Sequence, residues 1–278
     1  MTTEKAPSSS KVADMYDEIT TVMAKLWNGN LHYGYWSGPD DDSSFEEAVD
    51  HMTEQVIRRL DPRPGQYVLD AGCGIGSPAL KLARDHPVTI KGISISPRQV
   101  ALANERAGNA TGLAGAASFE VVDAMSLPYP DGTFDGVLSL ESMMHMPDKL
   151  RALQEIRRVL RPGGRLALAD IARPTLPGDN GDGAPKAETS DETYSMVRID
   201  EYGALLREAG LEPLEIADVS DRTRRSSRHF VAGAEACRDE YVRAIGAEEF
   251  ERRLEEGRRL EWTPEIGYVL IAARRPEE

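Results

Sequence analysis

Two cysteines in 278 residues are too few for a disulfide framework. Cys73 and Cys237 are therefore expected as free thiols in a cytoplasmic setting. No apolar run approaches the roughly 18 residues a membrane-spanning helix needs. Residues 1–11 are polar and Ser-rich and lack the apolar centre of a signal peptide, so they are expected as a disordered tail. Basic residues are in deficit: 33 Lys and Arg against 47 Asp and Glu, a net charge of −14. So acidic a surface repels phosphate backbones and anionic headgroups. It argues against nucleic acid and membrane as partners and leaves a small-molecule substrate. The five histidines, His32, His51, His86, His145 and His229, have no ligand spacing, so no metal is expected. There is no internal repeat. A homodimer is the default expectation for assembly.

What is present begins at Val68-Leu69-Asp70-Ala71-Gly72-Cys73-Gly74-Ile75-Gly76-Ser77-Pro78. This reads as a buried strand, a glycine turn and a helix start, with Pro78 where a missing N–H costs little. Glycines at 72, 74 and 76 let the main chain take positive φ and lie directly against a ligand. Asp70, at the strand end, repels a pyrophosphate and suits a cationic cofactor with a sulfonium and an amino-acid head.

Downstream the chain alternates. Strands are expected at 67–70, 88–94, 119–122, 134–140 and 165–170, with helices at 77–85, 97–107 and 149–160. Arg161-Pro162-Gly163-Gly164 reads as a turn. Alternation of this kind predicts a doubly wound α/β fold, a mostly parallel sheet with its ligand at the carboxyl strand ends. Before it, 14–29 and 45–60 read as helices around the aromatic run Tyr33-Gly34-Tyr35-Trp36. After it come a Pro/Gly/Asp-rich loop at 174–191, a helix at 200–209 and a strand at 214–219. One or two helices at 226–257 then precede a last strand at 267–273.

The glycine run resembles motif I of the class I S-adenosylmethionine (SAM) dependent methyltransferases. Val122-Asp123-Ala124 resembles the family's adenine-reading segment, and Leu160-Arg161-Pro162-Gly163-Gly164 its turn before the fifth strand. The matched motifs span about residues 66–170. The resemblance implies a seven-stranded Rossmann-like fold with a helical lid. Its expected parts are a lid at 12–60, a SAM-binding core at 61–175, and the rest of the core at 176–278 with a substrate-lid insertion near 220–260. It implies SAM contacts from Asp70, Gly72, Gly74, Asp123, Ala124 and Leu140. Ser94 stands where many members carry an acidic ribose ligand, so ribose binding is expected to lean on Gln99. Met15-Tyr16-Asp17, the run Leu31–Trp36 and Glu265–Ile271 resemble the natural-product sugar O-methyltransferases of the rebeccamycin type. Ring faces attract cations, so Tyr16 and Trp36 are expected over the sulfonium. A histidine just past the fourth strand is a sensible general base for a hydroxyl. That makes His145 the expected catalytic group, with Asp170 beside it to orient the imidazole or take the proton. Met144-His145 replaces that family's His-His pair. N-methylation of an amine or aziridine therefore stands as the alternative to O-methylation.

Overall fold

The computed structural model describes residues 9–25, 29–175, 194–262 and 266–278. Its centre is a seven-stranded sheet: β1 (Tyr67–Ala71), β2 (Thr89–Ser94), β3 (Ala116–Val121), β4 (Phe134–Leu140), β5 (Leu160–Ala172), β6 (Glu212–Asp218) and β7 (Gly267–Arg274). The order across the sheet is β3-β2-β1-β4-β5-β7-β6, and β7 runs antiparallel to both its neighbours. The chain moves outward from β1 to β3 and then returns to place β4 on the other flank of β1. The order therefore reverses between β1 and β4. In an open α/β sheet that is where a ligand crevice forms, at the carboxyl ends of the strands.

Alternating side chains divide the core in two, because successive residues of a strand face opposite ways. Leu69, Val137 and Leu166 pack with helices α5 (Lys149–Val159) and α6 (Tyr202–Glu208). Val68, Leu138 and Ala167 pack with α2 (Phe45–Leu60), α3 (Ser77–Asp85) and α4 (Pro97–Asn109). Ser44 sets the start of α2 with a capping box, its side chain bonded to the Glu47 N–H and the Glu47 carboxylate bonded back.

Several expected boundaries move. Helix α1 runs Ser9–Met23, so residues 9–11 belong to it and not to a tail. Val12, only 1% exposed, gives that first turn an apolar anchor. Residues 1–8, and most of the expected loop at 174–191, lie outside the described residues. Arg161–Gly164 is not a turn between elements. It is an irregularity within β5, where the register against β4 jumps between Phe134 and Gly136. The third strand starts earlier, at Ala116, and the helix expected at 200–209 opens with a 3-10 turn at Ile199–Glu201. A short α7 (Ser220–Thr223) leads into the insertion, which holds three helices: α8 (Ser226–Ala236), α9 (Arg238–Ile245) and α10 (Ala247–Trp262). Gly246, at φ +83°, ends α9. Tyr241, Phe250 and Leu254, from α9 and α10, pack on Val22 of α1.

Candidate active site

The turn after β1 carries Gly72, Gly74 and Gly76, all at positive φ. A Cβ on Gly72 would lie 2.2 Å from Ser142 Cβ, so only glycine fits there. A Cβ on Gly74 would meet nothing closer than Leu31 at 3.6 Å. Its main chain borders open space. The backbone N–H groups of Gly72 and Cys73 donate to Ile93 O at 3.0 and 2.8 Å, which binds the turn to the end of β2.

This turn forms the floor of a cleft. Its walls include Asp70, Gly72, Gly74, Ser94, Gln99, Asp123, Ala124, Leu140, His145 and, from α1, Tyr16. Asp70 is 1% exposed and its Oδ2 has no hydrogen-bond partner among the described residues. Burial pushes its pKa up to about 8. An unsatisfied buried carboxyl facing a cleft is stabilised by a cationic ligand. Ser94 Oγ donates to Gln99 Oε1 at 2.7 Å, leaving the Gln99 amide NH2 unengaged. Asp123 accepts from the Met125 N–H at 2.9 Å and from Ser9 Oγ at 3.3 Å. The donor set fits SAM: a carboxyl for an ammonium, an amide for hydroxyls, and open glycine backbone between them.

His145 closes a 3-10 turn at Met143–His145 and is buried. Its Nε2 shares a 2.7 Å hydrogen bond with the Tyr16 hydroxyl, and the two rings meet edge to face. Burial holds the Tyr16 phenol far above its ordinary range, so it stays protonated. A second cavity adjoins the first; Tyr16, Leu31 and Glu141 line both. Its other walls are mainly apolar, among them Met15, Met144, Met196 and Phe230, with Arg253 and Glu256 from α10. Methionine walls adapt to irregular apolar ligands.

Two expected site residues lie elsewhere. Trp36 lines neither cavity. It is 1% exposed, packed with Phe45, Ala48 and Val49, with its Nε1–H donating to Ser43 O at 3.0 Å. The Arg225 guanidinium lies 4.6 Å from its ring centroid. Trp36 thus meets a cation, but the protein's own. Asp170 is fully buried and lines neither cavity. Tyr202 O–H reaches it at 3.4 Å, its Oδ1 has no partner among the described residues, and burial pushes its pKa up while the nearby Lys149 charge pulls it down.

The sequence reading passed over Glu141. It follows β4 at φ +48°, is 9% exposed and accepts from the Tyr33 N–H at 2.5 Å and the Tyr268 O–H at 2.8 Å. Burial pushes its pKa up to about 8. A charged residue directly after the buried run Val137–Leu140 was the available signal. No group of three or more metal-ligating side chains occurs among the described residues.

Comparison with known proteins agrees with this geometry. A family profile described as a methyltransferase domain matches residues 69–168. The 27-O-demethylrifamycin SV methyltransferase of Amycolatopsis mediterranei (strain S699) is 41% identical over 272 residues, covering 98% of this chain and 99% of that protein. Methyltransferase GfsG of Streptomyces halstedii is 39% identical over 269 residues, covering 96% and 95%. Among solved structures, that of the 4+2 cyclase SpnF superposes with a TM-score of 0.84 at 34% identity, covering 98% of each chain.

Proposed function

Because the chain belongs to the SAM-dependent methyltransferases, we propose that its second cavity takes a natural product and that a hydroxyl of that product is methylated. The acceptor has a large apolar body, polycyclic or macrocyclic, and the reacting hydroxyl sits on that body or on an attached sugar. Bound SAM supplies an electrophilic methyl group on its sulfonium. Asp70 holds the ammonium, Ser94 and Gln99 the ribose, and Asp123 with Ala124 the adenine. Gly72, Gly74 and Leu140 provide close main-chain and apolar contact.

The observation that carries the reading is the Tyr16–His145 pair. His145 lines the first cavity, whereas Tyr16 lines both and touches the imidazole at 2.7 Å. A hydroxyl nucleophile must lose its proton as it gains a methyl group. Tyr16 receives that proton while passing its own to Nε2, and never becomes a free tyrosinate. General-base help of this kind contributes about 10²- to 10⁴-fold. Alignment of the acceptor in the closed cavity contributes more, since oriented reactants recover about 7–11 kcal/mol of barrier.

The test is transfer of radiolabel from SAM to hydroxylated and aminated polycyclic and macrolide acceptors, with the labelled atom located by mass spectrometry. Label on oxygen supports the reading, and label on nitrogen replaces it with amine methylation. A 34%-identical neighbour is named as a cyclase, so ring closure without transfer is scored as well and also overturns the proposal.

A further inference from the structure

Glu141 makes two contacts that hold the fold, and both fall on one oxygen. The Tyr33 N–H and the Tyr268 O–H each donate to Oε1, tying the segment before α2 and strand β7 to the end of β4. Oε2 accepts no hydrogen bond from the described residues, although the side chain is nine-tenths buried. Glu141 lines the wall common to both cavities. It does so at φ +48°, a left-handed conformation that a residue with a side chain rarely holds. Strain of this sort gathers where a side chain must be aimed at a ligand.

The two internal contacts need an acceptor oxygen and no charge. A glutamine amide oxygen would accept both N–H and O–H at a smaller desolvation cost than a buried carboxyl. The fold therefore accounts for Oε1 and leaves Oε2 without a purpose. Resting on the hydroxyl-acceptor reading above, we propose that Glu141 Oε2 binds a second hydroxyl of the acceptor, close to the one that is methylated, and so selects diols over mono-ols. A hydroxyl both donates and accepts, so it satisfies Oε2 whether that oxygen is ionised or protonated. Glu141 and Tyr16, which meets the reacting hydroxyl, both line the second cavity, where the acceptor sits. The two groups therefore reach neighbouring positions of one ligand. An acceptor lacking the second hydroxyl leaves a buried carboxyl unsatisfied, and this kind of mismatch discriminates strongly.

The test reads binding, so that it does not depend on turnover. The full chain, saturated with S-adenosylhomocysteine, is titrated with 1,2-dihydroxyanthraquinone, 1,3-dihydroxyanthraquinone and 1-hydroxyanthraquinone. The same titration is run on Glu141→Gln, which keeps the amide oxygen for Tyr33 and Tyr268. The wild type is expected to bind at least one diol about tenfold more tightly than the mono-ol. Glu141→Gln is expected to reduce that ratio to within about twofold, with its melting temperature and its affinity for S-adenosylhomocysteine unchanged. Equal wild-type affinities, or a ratio that survives in Glu141→Gln, overturn the proposal. A loss of S-adenosylhomocysteine affinity with the ratio intact assigns the carboxyl to the cofactor and also overturns it. Failure of all three probes to bind the wild type removes the polycyclic acceptor class on which the proposal stands. Replacing S-adenosylhomocysteine with SAM separates the two claims. Methyl transfer without diol selectivity sinks only the role of Glu141. Diol selectivity without transfer supports that role and sinks the activity.

Discussion

Replacing Gly72 with alanine strains the turn and pushes on the segment that carries the catalytic groups. Gly72 sits at φ +92°, and an added Cβ would lie 2.2 Å from Ser142 Cβ and 2.6 Å from its Oγ. Left-handed backbone costs an L-residue roughly 1–2 kcal/mol. Ser142 must then move, and its hydroxyl donates to Ala71 O at 2.6 Å and pairs with Ser139 Oγ at 2.7 Å. Losing those buried bonds adds about 1–3 kcal/mol. Gly72→Ala should therefore destabilise by about 2–5 kcal/mol in urea unfolding followed by circular dichroism, with an unchanged slope. The Ser142→Gly background separates the causes, because it removes both clashing atoms and leaves only the backbone strain. There the alanine should cost about 1–2 kcal/mol. A cost below about 1 kcal/mol in the parent, or the same cost in both backgrounds, would refute the packing argument.

Three further outcomes follow from the same geometry. Asp70 has its folded pKa raised from 3.8 to about 8 by burial. Its contribution to stability is therefore full below pH about 4 and is lost as pH rises through about 8. A cationic ligand needs the ionised form, so cofactor affinity should climb by up to about tenfold per pH unit and level off above pH 8; calorimetric titration of S-adenosylhomocysteine from pH 6 to 8.5 should show this slope, and Asp70→Asn should abolish it. Trp36→Ala empties a buried aromatic site and should cost about 3–5 kcal/mol of stability, while dialysis shows S-adenosylhomocysteine affinity within about twofold of wild type; a selective loss of binding would return Trp36 to the cofactor site. Tyr16→Phe breaks the proton path from the acceptor hydroxyl to His145 and should slow single-turnover transfer by about 10²- to 10⁴-fold with little change in cofactor affinity; an unchanged rate rules out proton passage through Tyr16.

The alternation of strands and helices, and the residues at the carboxyl strand ends, were legible because local rules act on them. The glycine turn needs positive φ, and Asp70, Ser94, Asp123 and Leu140 sit at or beside strand ends that meet at the switch point. Trp36 was misread because an aromatic residue near a lid suits a cation and an apolar core equally well. Only the three-dimensional packing shows its neighbours to be Phe45, His229 and Arg225. Asp170 was drawn into the site as the expected end of the fifth strand, but β5 runs on to Ala172 and leaves Asp170 fully buried within it. Glu141 was not legible as a functional group. Its partners Tyr33 and Tyr268 are 108 and 127 residues away in sequence, and no local pattern reports such contacts. The second cavity was equally hidden, because its walls come from α1, β5 and the late insertion at once.

The central claim is that His145, reached through Tyr16, takes the proton of a hydroxyl acceptor during methyl transfer. Single-turnover transfer of radiolabelled methyl from SAM to an acceptor hydroxyl, compared between wild type and His145→Ala, tests it most directly. The account predicts label on oxygen and a loss of about 10²- to 10⁴-fold in His145→Ala, with cofactor affinity retained. Transfer to oxygen at an undiminished rate in His145→Ala would contradict it.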